Sequence, residues 1–204
     1  DDRIFEEYKS IIGDFHMTPR EAFSFYRQAK GIADQEGPVH VGVISWILPF
    51  NIENRIGMHK QGVVPTQRWN HSRWLGQAAN DQLGSHIVQL IERMGNHAFV
   101  PTQSKFFLVK DLPAGRASNW SERHIAYVAG HGTFSLSDGL ITERGVAHRC
   151  GSVVTNMVVP ASRRSAKSPY SNCLFYLGID CKGCIKRCPA GAITEKGHNK
   201  NKCQ

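Results

Sequence analysis

The longest regular pattern of apolar positions lies in residues 72–94. Leu83, Ile87, Leu90, Ile91 and Met94 recur at the spacing that places them on one face of a helix. Gly95 follows at the position where a glycine commonly ends a helix. The sequence therefore predicts an amphipathic helix over residues 72–94 that packs its apolar face against the rest of the fold.

Two apolar runs predict buried strands. Residues 39–48 are β-branched and almost entirely apolar, which favours a buried central strand that ends at Pro49, followed by a loop to about residue 68. Residues 151–159 form a second run of this kind. Shorter strands are predicted at 97–100 and 137–142, and Gly37-Pro38 is expected to interrupt the chain.

Local start and stop signals predict two more helices. The Thr-Pro-x-Glu sequence at residues 18–21 is a capping box with proline in the first turn, and it predicts a helix to about residue 30. A further helix is predicted from residues 119–122 to about residue 129, with Gly130 just past its end. Helices and strands that alternate in this way predict an α/β (α+β) domain.

The polar, proline-bounded segment at residues 160–170 is typical of a linker. We therefore expect two domains, a larger one at residues 1–165 and a small cysteine-rich module at residues 166–204. The sequence contains no run of eighteen apolar residues, so no membrane partner is expected. Five of the six cysteines are bunched near the C-terminal end, which is unlike a disulfide framework and favours a reducing cytoplasmic location.

The cysteine run at residues 181–194 reads CKGCIKRCPAGAIT and carries the strongest chemical signal. Its C-x2-C-x3-C-P spacing matches the last three thiols of the bacterial iron–sulfur sequence, and Gly178 stands where the first thiol would fall. Zinc is the alternative, but the second C-x2-C pair of a zinc ribbon is missing. The predicted metal ligands are Cys173, Cys181, Cys184, Cys188 and Cys203.

Five thiols exceed the four that one 4Fe-4S cluster needs, so one or two clusters are expected. Cys173 is the best substitute for the thiol missing at Gly178. If two clusters form, Cys181 and Cys184 serve one, and Cys188 and Cys203 serve the other. We also expect further cysteines beyond the last residue of this chain, which would make it part of a longer protein.

The formal net charge is +8, which fits an anionic partner. Six of the cations crowd the cysteine region, where thiolates and a cluster would add negative charge, so nucleic acid is a less favoured partner.

A second motif lies in residues 122–142. Gly130 and Gly132 permit backbone geometry that other residues resist, and they allow close approach to a ligand. A helix cap followed by a tight turn is the alternative interpretation. The order of helix then strand, with no third glycine, disfavours a dinucleotide fingerprint.

Taken in order, these motifs resemble a known family. Glu122-Arg123, Ala126, Ala129-Gly130-x-Gly132 and Gly151-Ser152, followed by the cysteine run, are similar to epoxyqueuosine reductase and the corrinoid-dependent reductive dehalogenases over roughly residues 40–204. The resemblance implies a nitroreductase-like domain of the cobalamin-binding type, followed by a ferredoxin-like iron–sulfur module. Where the family has an acid, a glycine and a lysine, this chain has Arg116, Ser135 and Leu136.

The resemblance also implies a function and a site. The protein is expected to be a corrinoid- and iron–sulfur-dependent reductase that passes single electrons from 4Fe-4S clusters to a cobalamin. The expected substrate is a small molecule or a modified nucleoside, and the expected electron source is an external ferredoxin or flavodoxin. The implied cofactor contacts are Gly130, His131, Gly132, Thr133 and Phe134, and the implied catalytic residues are Tyr127 and His131.

Alternatives stay open for these residues and for the activity. Tyr127 fits an ordinary core position on its helix, and His131 fits a polar turn. The function alternatives are an electron-transfer protein without a corrinoid and a tRNA-modifying reductase.

Overall fold

The computed structural model describes residues 2–33, 39–61 and 64–203. The helices are α1 Arg3–Ile12, α2 Pro19–Lys30, α3 Ile52–Lys60, α4 Gln67–Arg93, α5 Glu122–Val128 and α6 Gly183–Arg187. The strands are β1 Gly42–Pro49, β2 Ala98–Phe99, β3 Val109–Lys110, β4 Ala117–Ser118, β5 Gly132–Phe134, β6 Leu140–Thr142, β7 His148–Thr155, β8 Ile193–Thr194 and β9 Gly197–His198. Short 3-10 turns occur at Pro101–Gln103 and Lys200–Lys202.

A three-stranded antiparallel sheet in the order β1-β7-β2 forms the centre of the fold. Successive side chains of a strand point to opposite faces, and β7 buries both. Val153 packs with Ile91 of α4, whereas Val154 packs with Phe23 of α2 and Trp120. The result is a layer of helix on each side of the sheet. The mixed architecture with small antiparallel sheets confirms the α+β part of the predicted fold class.

Polar contacts fasten α4 to the sheet. The indole nitrogen of Trp46 in β1 donates a hydrogen bond of 2.7 Å to the side-chain oxygen of Asn80. The Asn80 amide nitrogen donates in turn to the carbonyl oxygen of Cys150 in β7 at 3.1 Å. Trp46 lies opposite Gly151, which has no side chain and so leaves room for the indole. This one buried amide links α4 to two strands.

Several predictions need correction. The run at 39–48 was predicted to be a central strand, but β1 pairs only with β7 among the described residues and forms an edge. Helix α3 occupies part of the predicted loop, and α4 begins at Gln67 rather than at residue 72. Strand β7 covers 148–155 instead of 151–159. The break predicted at Gly37-Pro38 lies outside the described residues.

Other predictions are confirmed. Helix α2 begins with both hydrogen bonds of the capping box between Thr18 and Glu21. Gly95 follows α4 with a φ of +79°, and Gly130 follows α5 with a φ of +85°. The described part of residues 160–167 contains no helix or strand. The domain boundary at residue 165 and the nitroreductase-like and ferredoxin-like parts stay predictions. No helix within the described ranges has the length and apolar character needed to span a bilayer.

Candidate metal centre and adjoining cavity

The five predicted metal ligands differ in burial. Cys173 is 7% exposed, while Cys181, Cys184 and Cys188 are half-buried and Cys203 is exposed. The sixth cysteine, Cys150, lies in β7, where burial raises the pKa of its thiol to about 12 and the nearby Glu122 carboxylate adds to the effect. A thiol held neutral in this way is a poor metal ligand. Cys150 therefore belongs to the core.

Three of the predicted ligands share one neighbourhood. Burial raises the pKa of the Cys184 thiol, and the negative charges of the Cys173 and Cys181 thiolates raise it further. The thiols of Cys173 and Cys184 thus influence each other although they are eleven residues apart in the chain. Thiolates in such proximity repel one another until a cation joins them.

Cys188 lies in a different local environment. Its sulfur accepts a hydrogen bond of 3.2 Å from the backbone amide of Ala192. That amide is the main cause of a lowered thiol pKa at Cys188, and the amides of Ile193, Ala190 and Gly191 contribute as well. Backbone N–H groups aimed at a cysteine sulfur stabilise the thiolate, which is the form that binds iron.

The described residues contain no ready-made site for a metal ion. Among the described residues, no three His, Cys, Asp or Glu side chains converge as the ligands of one metal ion would. In a 4Fe-4S cluster each of four thiolates binds its own iron, so the ligands stand around a larger group. The five cysteines are therefore candidate ligands on the strength of their spacing in the sequence.

A cavity of about 830 Å³ adjoins the cysteine segment. Four of the five predicted cofactor contacts line it, namely Gly130, His131, Gly132 and Thr133. The lining also includes hydroxyl and amide groups, two cations and one acid, namely Ser165, Ser171, Asn172, Arg144, Lys167 and Glu143. The size falls in the range of small-molecule and cofactor sites. The polar lining suits a ligand rich in hydrogen-bonding groups that also carries negative charge.

Asn172 joins the cavity to the cysteines. Its backbone amide donates to the Thr133 hydroxyl at 2.8 Å, and its side-chain amide donates to the carbonyl oxygen of Ile141 at 3.0 Å. The Phe134 amide donates to the carbonyl oxygen of Pro169 at 2.6 Å. The segment that leads into Cys173 is therefore pinned to the β5–β6 hairpin, and Cys173 directly follows a residue of the cavity wall.

Backbone geometry alone accounts for both glycines of the second motif. Gly130 adopts a positive φ after α5, and an added Cβ there would lie 2.9 Å from the carbonyl oxygen of Arg163. A Cβ on Gly132 would lie 2.8 Å from the carbonyl carbon of Ile141 and closer still to its oxygen. Gly130 thus ends a helix, as expected if the motif is a helix cap, and Gly132 allows two strands to pair closely. Both residues also line the cavity.

The two predicted catalytic residues occupy different surroundings. His131 lines the cavity, and its Nε2 lies 3.0 Å from the carbonyl oxygen of Ser45. Because a carbonyl only accepts, Nε2 carries the proton in this pair. Tyr127 is 5% exposed and packs with Ala126 and Leu140. The Arg164 guanidinium lies 4.4 Å from the centre of its ring. Tyr127 thus has the environment of a core residue.

Phe134, the fifth predicted cofactor contact, lies outside the lining of the large cavity. It borders a smaller cavity of about 370 Å³ between α1 and the cysteine module. Its ring packs against His124 at 4.8 Å and Tyr127 at 5.8 Å between ring centres. Phe134 therefore packs between the hairpin and α5.

Sequence reasoning missed two features that shape the site. Glu122 is the first residue of α5, and its carboxyl Oε1 accepts a hydrogen bond of 3.1 Å from the indole of Trp120. Burial raises the pKa of Glu122 to about 7, although hydrogen bonds from Ser152 and Trp120 oppose the shift. Arg187 donates to the carbonyl oxygens of His59, Met58 and Gln61 at the end of α3. No spacing in the sequence indicates either arrangement.

No protein-family model matches this sequence, and no curated protein matches it. Among solved structures, the chain is similar to epoxyqueuosine reductase from Streptococcus thermophilus, with 13% sequence identity and a TM-score of 0.41. The alignment covers 97% of this chain and 55% of that chain. This chain therefore spans about half the length of the enzyme, and the likeness is a distant one in fold.

Proposed function

We propose that the protein is an iron–sulfur oxidoreductase that delivers single electrons to a molecule bound in the large cavity. The residues that would hold one or two 4Fe-4S clusters are Cys173, Cys181, Cys184, Cys188 and Cys203. When bound, such clusters supply one-electron chemistry. The observation that carries the proposal is the contact of Asn172 with Thr133, because it fixes the segment before Cys173 to the wall of the cavity.

The protein's own residues supply position and local environment. The amides around Cys188 favour its thiolate form. The carbonyl oxygen of Ser45 orients the His131 ring at the cavity wall. Free thiols of this kind persist in a reducing compartment, which is consistent with the cytoplasm.

The family resemblance would place a cobalamin in the cavity. The chemistry of the lining fits that group, since Ser165, Ser171 and Asn172 suit its amide side chains, and Arg144 and Lys167 suit its phosphate. When bound, a corrinoid would supply a strongly reducing cobalt centre for a small molecule or a modified nucleoside. In that case the residues named here would bind and orient it.

A corrinoid-free electron-transfer protein is the second candidate. It is favoured by Arg116 and Ser135, which stand where the family has an acid and a glycine. The backbone explanation of Gly130 and Gly132 favours it as well. A tRNA-modifying reductase is a third form of the same proposal and rests on the net charge of +8.

Anaerobic reconstitution tests the proposal. The protein is loaded with iron and sulfide, then mixed with hydroxocobalamin and desalted, and its iron, sulfide, cobalt and visible spectrum are measured. We expect about four irons or more per chain and the broad absorbance of iron–thiolate bonds. Stoichiometric cobalt supports the corrinoid enzyme, and iron without cobalt supports the second candidate.

The controls use cysteines from different places. The Cys181→Ser/Cys184→Ser variant should lose most of its iron, because three thiols remain where a cubane needs four. The Cys150→Ala variant should keep its iron, because that thiol lies in β7 away from the run. Zinc in place of iron, or equal iron in both variants, would refute the proposal.

A further inference from the structure

The last part of the cysteine module is rich in lysine. Residues 179–203 contain six cations and only two acids. Lys182 is held by Glu195 at 2.6 Å and Asp180 at 3.6 Å, which uses both acids. None of the other four lysines forms an ion pair within the described ranges. Three of these four lysines line one groove, and we call them the lysine face: Lys196, Lys200 and Lys202.

The lysine face borders a shallow groove of about 480 Å³. Lys196, Lys200 and Lys202 line it together with Gly191 and Ala192. The Ala192 amide is the group that donates to the Cys188 sulfur at 3.2 Å. A residue of the groove wall is therefore hydrogen-bonded to the Cys188 sulfur.

We propose that the lysine face is the docking surface for an acidic one-electron carrier protein of the flavodoxin or ferredoxin class. The proposal rests on the proposed function, since it supplies the electrons that the cavity reaction consumes. One electron leaves the reduced carrier and one is taken up at the cluster site beside Cys188, with no bond made or broken. Unpaired lysines attract an acidic carrier, and complementary charge speeds encounter more than it adds affinity.

Two observations favour a carrier protein over RNA at this surface. The lysines are gathered around Cys188 and Cys203, where an electron would enter the protein. The residues that line the groove include no phenylalanine, tyrosine or tryptophan on which a base would stack. Complexes of electron-transfer proteins are small and transient, which suits a groove of this size.

Binding of an acidic flavodoxin tests the proposal. The Lys196→Glu/Lys202→Glu variant should bind it about tenfold or more weakly than the wild type, measured by calorimetry at low salt. The matched control is Lys30→Glu/Lys105→Glu, which changes net charge equally at a groove between α2 and α4. The control should bind like the wild type. Salt at about 1 M, where the Debye length is about 3 Å, should abolish the difference.

A kinetic measurement separates docking from folding. Iron content should be equal in both variants, and dithionite, a small reductant that needs no docking, should reduce both at the same rate. Reduced flavodoxin should reduce only the control at the wild-type rate. Equal weakening in both variants would overturn the proposal, as would a lysine face that binds tRNA and not flavodoxin. If no cluster assembles, the proposed function fails, while the calorimetry still decides whether this surface binds the carrier.

Discussion

The Gly132→Ala variant is expected to lose about 3 kcal/mol or more of its free energy of unfolding. The new methyl group would lie 2.8 Å from the carbonyl carbon of Ile141 and 3.1 Å from the Cα of Thr142, both in the backbone of β6. Backbone atoms in a paired strand have no rotamer to change, so the β5–β6 pair must open. Asn172, which holds this hairpin to the cysteine segment, then loses its partners. Urea denaturation followed by circular dichroism measures the loss.

A second glycine provides the control. Gly76 lies within α4, and the nearest atom to an added Cβ is a Phe50 ring carbon at 3.9 Å, an ordinary contact. Gly76→Ala should therefore stabilise the protein by about 0.5–1 kcal/mol, since alanine restricts the unfolded chain. If the free energy of unfolding of Gly132→Ala is within about 1 kcal/mol of the wild-type value, a methyl group fits between the two strands and the expected backbone clash is absent.

Buried Glu122 is expected to make the protein less stable as the pH rises. Its pKa is about 7 in the folded protein because of burial, against 4.5 for an ordinary glutamate. Between these pH values the folded state keeps a proton that the unfolded state has released. Stability contributed by Glu122 is thus complete below about pH 4.5 and is lost by about pH 7, at a cost of about 3 kcal/mol.

The Glu122→Gln variant isolates this effect. Burial also lowers the pKa of His124 to about 3 and that of His16 to about 4. Because both rings are neutral in the folded protein, they lower its free energy of unfolding as the pH falls. The two trends oppose each other, so the quantity to measure is the difference in unfolding free energy between variant and wild type. That difference should grow by about 3 kcal/mol from pH 4 to pH 8. An exposed substitution, Glu92→Gln, should give a flat difference. A flat difference for Glu122→Gln as well would mean that Glu122 is ionised in the fold.

Local signals predicted elements that local contacts stabilise. The capping box of α2 and the glycine after α5 lie within a few residues of the bonds they make. Helix α3 has a local cap at Asn51, whose side chain accepts from the Asn54 backbone amide, but its other stabilising contacts come from distant groups. Its buried Asn54 donates to Ser72 of α4, and its final carbonyls accept from Arg187. Such partners are invisible in the sequence of α3 itself.

The apolar run of β1 was correctly predicted to be a strand and wrongly placed at the centre. Its residues are apolar because helices cover both faces of the sheet, as Val43 and Ile44 pack into different clusters. An apolar run of this kind indicates that both faces of the strand are buried, and it does not indicate how many strands pair with it. The cysteine motif could be recognised in the sequence because its candidate ligands are close together in the chain. Cys181, Cys184 and Cys188 lie within eight residues of one another, in and around α6. The cavity wall was not visible, since Arg144, Lys167 and Asn172 come from separate segments.

The antiparallel pairing of β1 with β7 has a consequence for biosynthesis. Both β1 and β2 pair with β7, so the last strand of the sheet to be synthesised is the one that the other two need. Roughly one hundred residues separate β1 from that partner, and at typical translation rates of about 5–20 residues per second its apolar side chains wait about 5–20 s on the ribosome. The cysteine module is translated directly afterwards. Strand β7 is therefore translated before the five candidate ligand cysteines, and the waiting β1 is the segment that a chaperone would need to shield.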